Sequence, residues 1–163
     1  MSMNTTISLS VKPRQTLTAP YEGRGAANFA YGAEWTSGTG DDQADLCTQS
    51  VNAISGSGNS DIDLRAEVTP AGAAAAGAEL AGLMIEVPDD ASGDITLKDA
   101  SSNGVGLFSG TTDGLVLPAG SRLVLLWPED GSVAMSGSAK SINLANAGGS
   151  ATNVTVTTLQ RSA

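Results

Sequence analysis

Residues 141–163, SINLANAGGSATNVTVTTLQRSA, hold two runs of alternating apolar and small polar residues, Ser141 to Asn146 and Thr152 to Gln160, around a Gly148–Gly149 turn. A period of two is the signature of a strand with one buried face. Threonine at alternate positions reinforces it, because a branched Cβ restricts χ1 and favours extended backbone. Nothing in the stretch can move a proton or hold a metal, so the closing segment fixes a fold class and leaves the purpose of the chain open.

The same pattern recurs toward the N-terminus. Residues 5–11 place Ile7, Leu9 and Val11 at alternate positions, and Pro13 ends the run. Residues 28–36, NFAYGAEWT, do the same with Phe29, Tyr31, Ala33 and Trp35, which gathers half of the six aromatic residues on one face of one strand. We expect that face to be buried in a core or in a seam between subunits. SGTGDDQAD (37–45) reads as a polar loop, residues 45–54 as a weaker strand and SGSGNS (55–60) as a flexible connection. DIDLRAEV (61–68) alternates Asp61 and Asp63 with Ile62 and Leu64. TPAGAAAAGAELA (69–81) alone has helical composition, but Gly72, Gly77 and the lack of an amphipathic stripe leave it open between a short helix and a loop insertion. LMIEVP and DITLKD are strands joined by DDASG, and Leu107 and Phe108 are available to plug a core. LVLPAGSRLVLLWPEDG (115–131) is two strands folded about Pro118–Gly120, its apolar run Leu123 to Trp127 predicting a strand covered on both faces.

About eight to ten short strands at this spacing predict an all-β chain, a jelly-roll-like β-sandwich or a Greek-key barrel with an N-terminal arm. The division expected is an arm or first strand over residues 1–27 and a sandwich domain over residues 28–163. At 163 residues the chain fits one domain. Its apolar content is mostly small and aliphatic, so the core is thin and partners are expected to complete the burial of surface.

Composition then removes function classes. Histidine is absent, and with it the commonest general base and zinc ligand, so Ser-His and Cys-His triads are excluded. Cys47 is alone and forms neither an internal disulfide nor a thiolate cluster. A formal charge of −9, from 17 acids and 8 bases, repels phosphate backbones and argues against nucleic acid as a partner. Lys12, Arg14 and Arg24 nevertheless fall in the first 25 residues, where Glu22 is the only acid, and this polarity suits an arm that docks on an acidic neighbour. No basic region followed by an apolar stretch opens the sequence and no run reaches the ~18 apolar residues of a bilayer span. We therefore expect a soluble protein made in a cytoplasm, without membrane partners.

Candidate chemistry is sparse. Asp41, Asp42 and Asp45 occupy a Gly-flanked loop, but their spacing does not follow the calcium-binding EF-hand pattern. Asp61 and Asp63 share a strand face at about 7 Å, wider than the ~5–5.5 Å of a retaining glycosidase pair, and an acidic solvent face on an edge strand accounts for them. Ser136 and Ser138 near Lys140 would need a buried, deprotonated lysine to act as a dyad. SGSGNS and GRGAAN match no phosphate-binding loop. No catalytic, metal or cofactor residue is assigned.

Taken in order, FAYGAEWTSGTGDDQADL, DIDLRA, LVLPAGSRLVLLWPEDG and AKSINLANAGGSATNVTVTTL resemble small virion proteins of tailed bacteriophages and prophages. Those proteins pair an early DLDL-like strand with a late Pro-x-Gly hairpin and end in a strand, a Gly/Ser turn and a β-branched strand, as in Ile142 to Thr158 here. The likeness covers residues 28–163, with the alanine-rich insertion at 69–79 departing from it. It implies a structural protein of the virion with no active site. The placement expected is a capsid decoration or cement protein, a homo-oligomer with a trimer favoured, bound to the major capsid protein or other virion proteins through Lys12, Arg14, Phe29, Tyr31 and Trp35. A tail or fibre component is the alternative within the virion; outside it, a carbohydrate-binding module using Tyr31 and Trp35, or a hydrolase using Asp61 and Asp63.

Overall fold

The computed structural model describes residues 5–11, 14–16, 24–26, 29–41, 43–110, 112–127 and 132–162, and before Trp35 it describes the backbone pairing. The regular elements among them are thirteen strands: β1 (Thr5–Val11), β2 (Arg14–Thr16), β3 (Arg24–Ala26), β4 (Phe29–Trp35), β5 (Leu46–Ile54), β6 (Asn59–Asp63), β7 (Glu79–Glu86), β8 (Ile95–Asp99), β9 (Gly114–Leu117), β10 (Arg122–Leu126), β11 (Val133–Ala134), β12 (Ser141–Asn146) and β13 (Thr152–Arg161). The protein is all-β, a sandwich of two antiparallel sheets.

The pairing follows one rule. Taking the eight long strands from β5 onward and leaving out two-residue β11, the first pairs with the last (β5 with β13), the second with the seventh (β6 with β12), the third with the sixth (β7 with β10) and the fourth with the fifth (β8 with β9). The chain is thus one long antiparallel ribbon, doubled back at the loop between β8 and β9. Successive segments of the ribbon fall alternately in the two sheets, β10-β7-β13-β5 and β6-β12-β8-β9, with β11 continuing the β10 side of β7.

Alternation then fills the space between the sheets. Ile54, Ile62, Leu83, Ile85, Ile95, Leu97, Ile142, Leu144, Val154 and Val156 are all buried there, each worth about 1.5–3 kcal/mol by removal from water. Leu107 and Phe108 pack against this core from the loop after β8. That loop is held by the buried carboxylate of Asp99, which accepts from the backbone amides of Gly106 and Leu107 at 3.0 Å each and of Phe108 at 2.8 Å. On the facing sheet, at the same end of the sandwich, Gln160 is fully buried and satisfied. Its side-chain amide donates to Leu64 O and Thr158 Oγ1, and its Oε1 accepts from Gly77 N. Thr158 in turn meets Thr48 across the β5–β13 pair at 2.7 Å.

One open alternative is resolved and one expectation is corrected. The alanine-rich segment is a loop: Ala75 N and Ala76 N donate back to Glu67 O and Arg65 O, and Thr69 and Ala73 close the tip, with Gly72 at φ +83°. Pro70 and this left-handed glycine override the helical preference of alanine. Leu123 to Trp127 is not covered on both faces, because β10 lies at a sheet edge and Val124 is 38 % exposed. Leu123, Leu125 and Trp127 face the core, while Leu126 packs on the outer side with Trp35 and Val124 is exposed there.

Replacing Asp99 with Ala leaves three amides unpaired around a buried site. Chemical denaturation should show a loss of about 2–4 kcal/mol, against less than about 0.5 kcal/mol for Asp61→Ala on the surface.

Candidate interaction surface

The N-terminal strands belong to neither sandwich sheet. β1 pairs with β4 from Thr5↔Trp35 to Val11↔Phe29, and β2 pairs with β3 from Arg14↔Ala26 to Thr16↔Arg24. Both segments keep the same register without slip, so they form two parts of one antiparallel hairpin. Ile7, Leu9 and Val11 stand directly opposite Ala33, Tyr31 and Phe29. Directly opposed residues share a face of the ribbon, so the alternating apolar positions of both strands coincide. A two-stranded ribbon is marginal by itself in water, which makes its attachment decisive.

Trp35, at the end of β4, makes that attachment. It is 0 % exposed, packed with Ala44, Ala81 and Leu159 and flanked by Cys47 and Leu126. A β-bulge makes the space. Leu159 pairs with Gly82 but Gln160 pairs with Leu80, so Ala81 is extra on β7 and packs with the indole. The indole Nε1 has no hydrogen-bond partner, so the anchoring is by packing. Nearby, buried Arg161 donates to Gln43 O at 2.7 Å and to Glu79 at 3.2 Å, while Ser162 donates to the Asp45 carboxylate through both its amide and its hydroxyl. Arg161 and Ser162 thereby pin the loop that leads from the hairpin into β5. Burial pushes the Cys47 thiol above its ordinary value.

Of the residues singled out from sequence, Lys12 lies outside the described residues, and the side chains of Arg14, Phe29 and Tyr31 do as well; their register positions are those given above. Trp35 is inside the protein and offers no face to a sugar. Asp61 and Asp63 are at a sheet edge, on β6. Asp61 accepts from Asn143 at 2.6 Å, and Asp63 is occupied by Lys140 and by the amides of Arg65 and Ala66. The same ion pair takes Lys140 away from Ser136 and Ser138. Asp45 holds Ser162, and Asp42 lies outside the described residues.

The sequence reading passed over the edge formed by β5. Between it and β6 runs an open groove of about 380 Å³ lined by Gln49, Ser50, Asn52, Asp61, Asp63 and Glu67. No described residue pairs with the groove side of β5. Leu46–Ile54 contains no charge and no proline, and Val51 at its middle is 66 % exposed. The other edges carry the usual protection: β6 has Asp61 and Asp63, β9 is four residues long and runs into Pro118, and β10 begins at Arg122, paired with Glu86. The signal was present in the sequence as a nine-residue strand without a gatekeeper, but its edge position depends on topology.

No protein-family model matches the chain, and no curated protein matches it significantly.

Trp35→Ala should cost about 3–5 kcal/mol by denaturation, whereas Trp35→Phe, which removes only an unpartnered N–H and part of the ring, should cost much less. Cys47 in the native protein should react with an aromatic disulfide reagent at pH 8 several-fold more slowly than after unfolding.

Proposed function

We propose that the protein is a structural component of a tailed-phage virion, a capsid decoration protein that binds the major capsid lattice as an oligomer, a trimer being favoured. The observation that carries this reading is an arm and a sandwich of distinct kinds in one chain. A two-stranded hairpin stands outside both sheets, rooted among the described side chains by buried Trp35, beside a body whose described accessible features are sheet edges. The strand pairing supports reading the body as a jelly roll, an eight-stranded ribbon folded into two four-stranded sheets, an architecture used by viral capsid proteins and lectins alike. Fold does not assign function, and the sequence likeness over residues 28–163 favours the virion reading. Burial of Trp35 weighs against the sugar-binding alternative, which needs it exposed. Three bases and one acid in the first 25 residues give the arm the sign opposite to that of the body, as a strap on an acidic lattice requires.

Mass spectrometry of purified particles separated into heads and tails tests the placement. The chain is expected with the heads; recovery with tails would replace decoration by the tail or fibre reading. Deleting residues 1–24 should lower occupancy on shells about tenfold or more, the loss of at least ~1.4 kcal/mol of contact. Unchanged occupancy would remove the arm from the binding mechanism.

A further inference from the structure

We propose that β1 of one copy adds as a new strand to the free edge of β5 in a second copy, so that subunits are joined by exchange of their N-terminal hairpins. The inference takes its partner, a second copy, from the oligomeric reading above, but it requires nothing of the particle.

Four observations meet at this edge. An uncharged nine-residue strand with an exposed valine at its centre is a ready template for another strand, and native proteins cover such edges or guard them. Here the guards are absent on β5 and present on β6, β9 and β10. Val51 is 66 % exposed, and no described strand pairs with β5 on that side. β1 is the matching half. Among the described strands it pairs with β4 alone, and its seven residues fit within the nine of β5. Charge selects β1 over β4: residues 5–16, TTISLSVKPRQT, contain Lys12 and Arg14 and no acid, while β4 carries Glu34. The groove beside β5 presents Asp61, Asp63 and Glu67, with Lys140 and Arg65 as its nearby bases. Residues 1–35 hold three bases and two acids, leaving five bases and fifteen acids for residues 36–163, so arm and body attract between copies.

The geometry also explains why the exchange is between copies. Trp35 fixes the root of the hairpin, and Arg161 and Ser162 fix the loop after it, so β4 cannot slide to bring β1 against its own β5. Because β1 and β5 are different surfaces, the contact is heterologous and repeats head to tail, which closes into a ring where the rotation permits. Main-chain hydrogen bonds supply the affinity in this mode, and the flanking side chains set the register.

The test uses the full-length purified chain without particles. Sedimentation should give a multiple of the 16.2 kDa chain. Val51→Lys places a charge at the centre of the edge and should weaken association at least tenfold, while Val124→Lys, on the opposite edge of the same sheet, should leave it unchanged. An unchanged far-ultraviolet circular dichroism spectrum and thermal unfolding midpoint confirm that each variant is folded. In a Cys47→Ala background, chains carrying Ser8→Cys or Ser10→Cys are mixed with chains carrying Ser50→Cys; a disulfide joining the two kinds of chain is the expected product. A wild-type monomer, an oligomer unaffected by Val51→Lys, or no mixed disulfide from either pairing would each overturn strand exchange. Particle occupancy is read separately, so exchange and virion placement can fail independently.

Discussion

β13 is the strand on which the rest of the molecule depends. It is hydrogen-bonded on both sides, to β5 over nine residue pairs and to β7 over seven, and it sends Val154, Val156, Thr158 and Gln160 into the core in unbroken alternation. Its pairing with β5 brings the end of the chain back to the start of the sandwich and closes the folded ribbon. One residue of slip would turn the buried valines outward and the exposed threonines inward. The same strand ends in the contacts that hold the arm: Leu159 lies against Trp35, and Arg161 and Ser162 clamp the loop before β5.

The interior shows how a core with few aromatic residues becomes specific. Aliphatic side chains between two sheets give burial without much geometric selection. Direction comes from buried polar groups at one end of the sandwich. On one sheet Asp99 ties down the long loop, and on the other Gln160 and the Thr48–Thr158 pair join β13 to β5, to the turn after β6 and to Gly77. Each would be costly without its partners, so each excludes arrangements in which those partners are elsewhere. Gly77 has no room for a side chain, since a Cβ there would lie 2.4 Å from Gln160 Oε1; the loop backbone must approach that closely to satisfy the glutamine.

Alternation along SINLAN and NVTVTTLQ made strands β12 and β13 legible from residues alone, and likewise the strand of Phe29 to Trp35. What alternation could not supply is neighbourhood. The run Leu123 to Trp127 reads as a central strand because four of its five residues are large and aliphatic, yet it is an edge whose outer residues serve the Trp35 side of the sheet. The alanines of residues 71–76 left helix and loop open, and hydrogen bonds back to Arg65 and Glu67 hold them in a loop. Asp61 and Asp63 were legible as an edge feature because charges every second residue resist pairing. The β5 edge was not, because an unguarded strand looks the same in sequence whether it lies inside a sheet or at its border. Lys12, Arg14, Phe29 and Tyr31 were chosen by charge and pattern, and their side chains lie outside what is described; Trp35 alone of that set is placed, as the anchor of the arm.

On the reading proposed above, the surface is the working part, with the uncharged β5 edge and the hairpin arm as complementary halves. Hydrogen exchange of the native chain across a dilution series tests this most directly. At high concentration the amides of Leu46–Ile54 should exchange far more slowly than those of the β9 edge, and dilution should release alternate amides of β5 together with those of β1. If β5 exchanges as fast as a solvated edge at every concentration, while the core of β13 stays protected, association through that edge is contradicted.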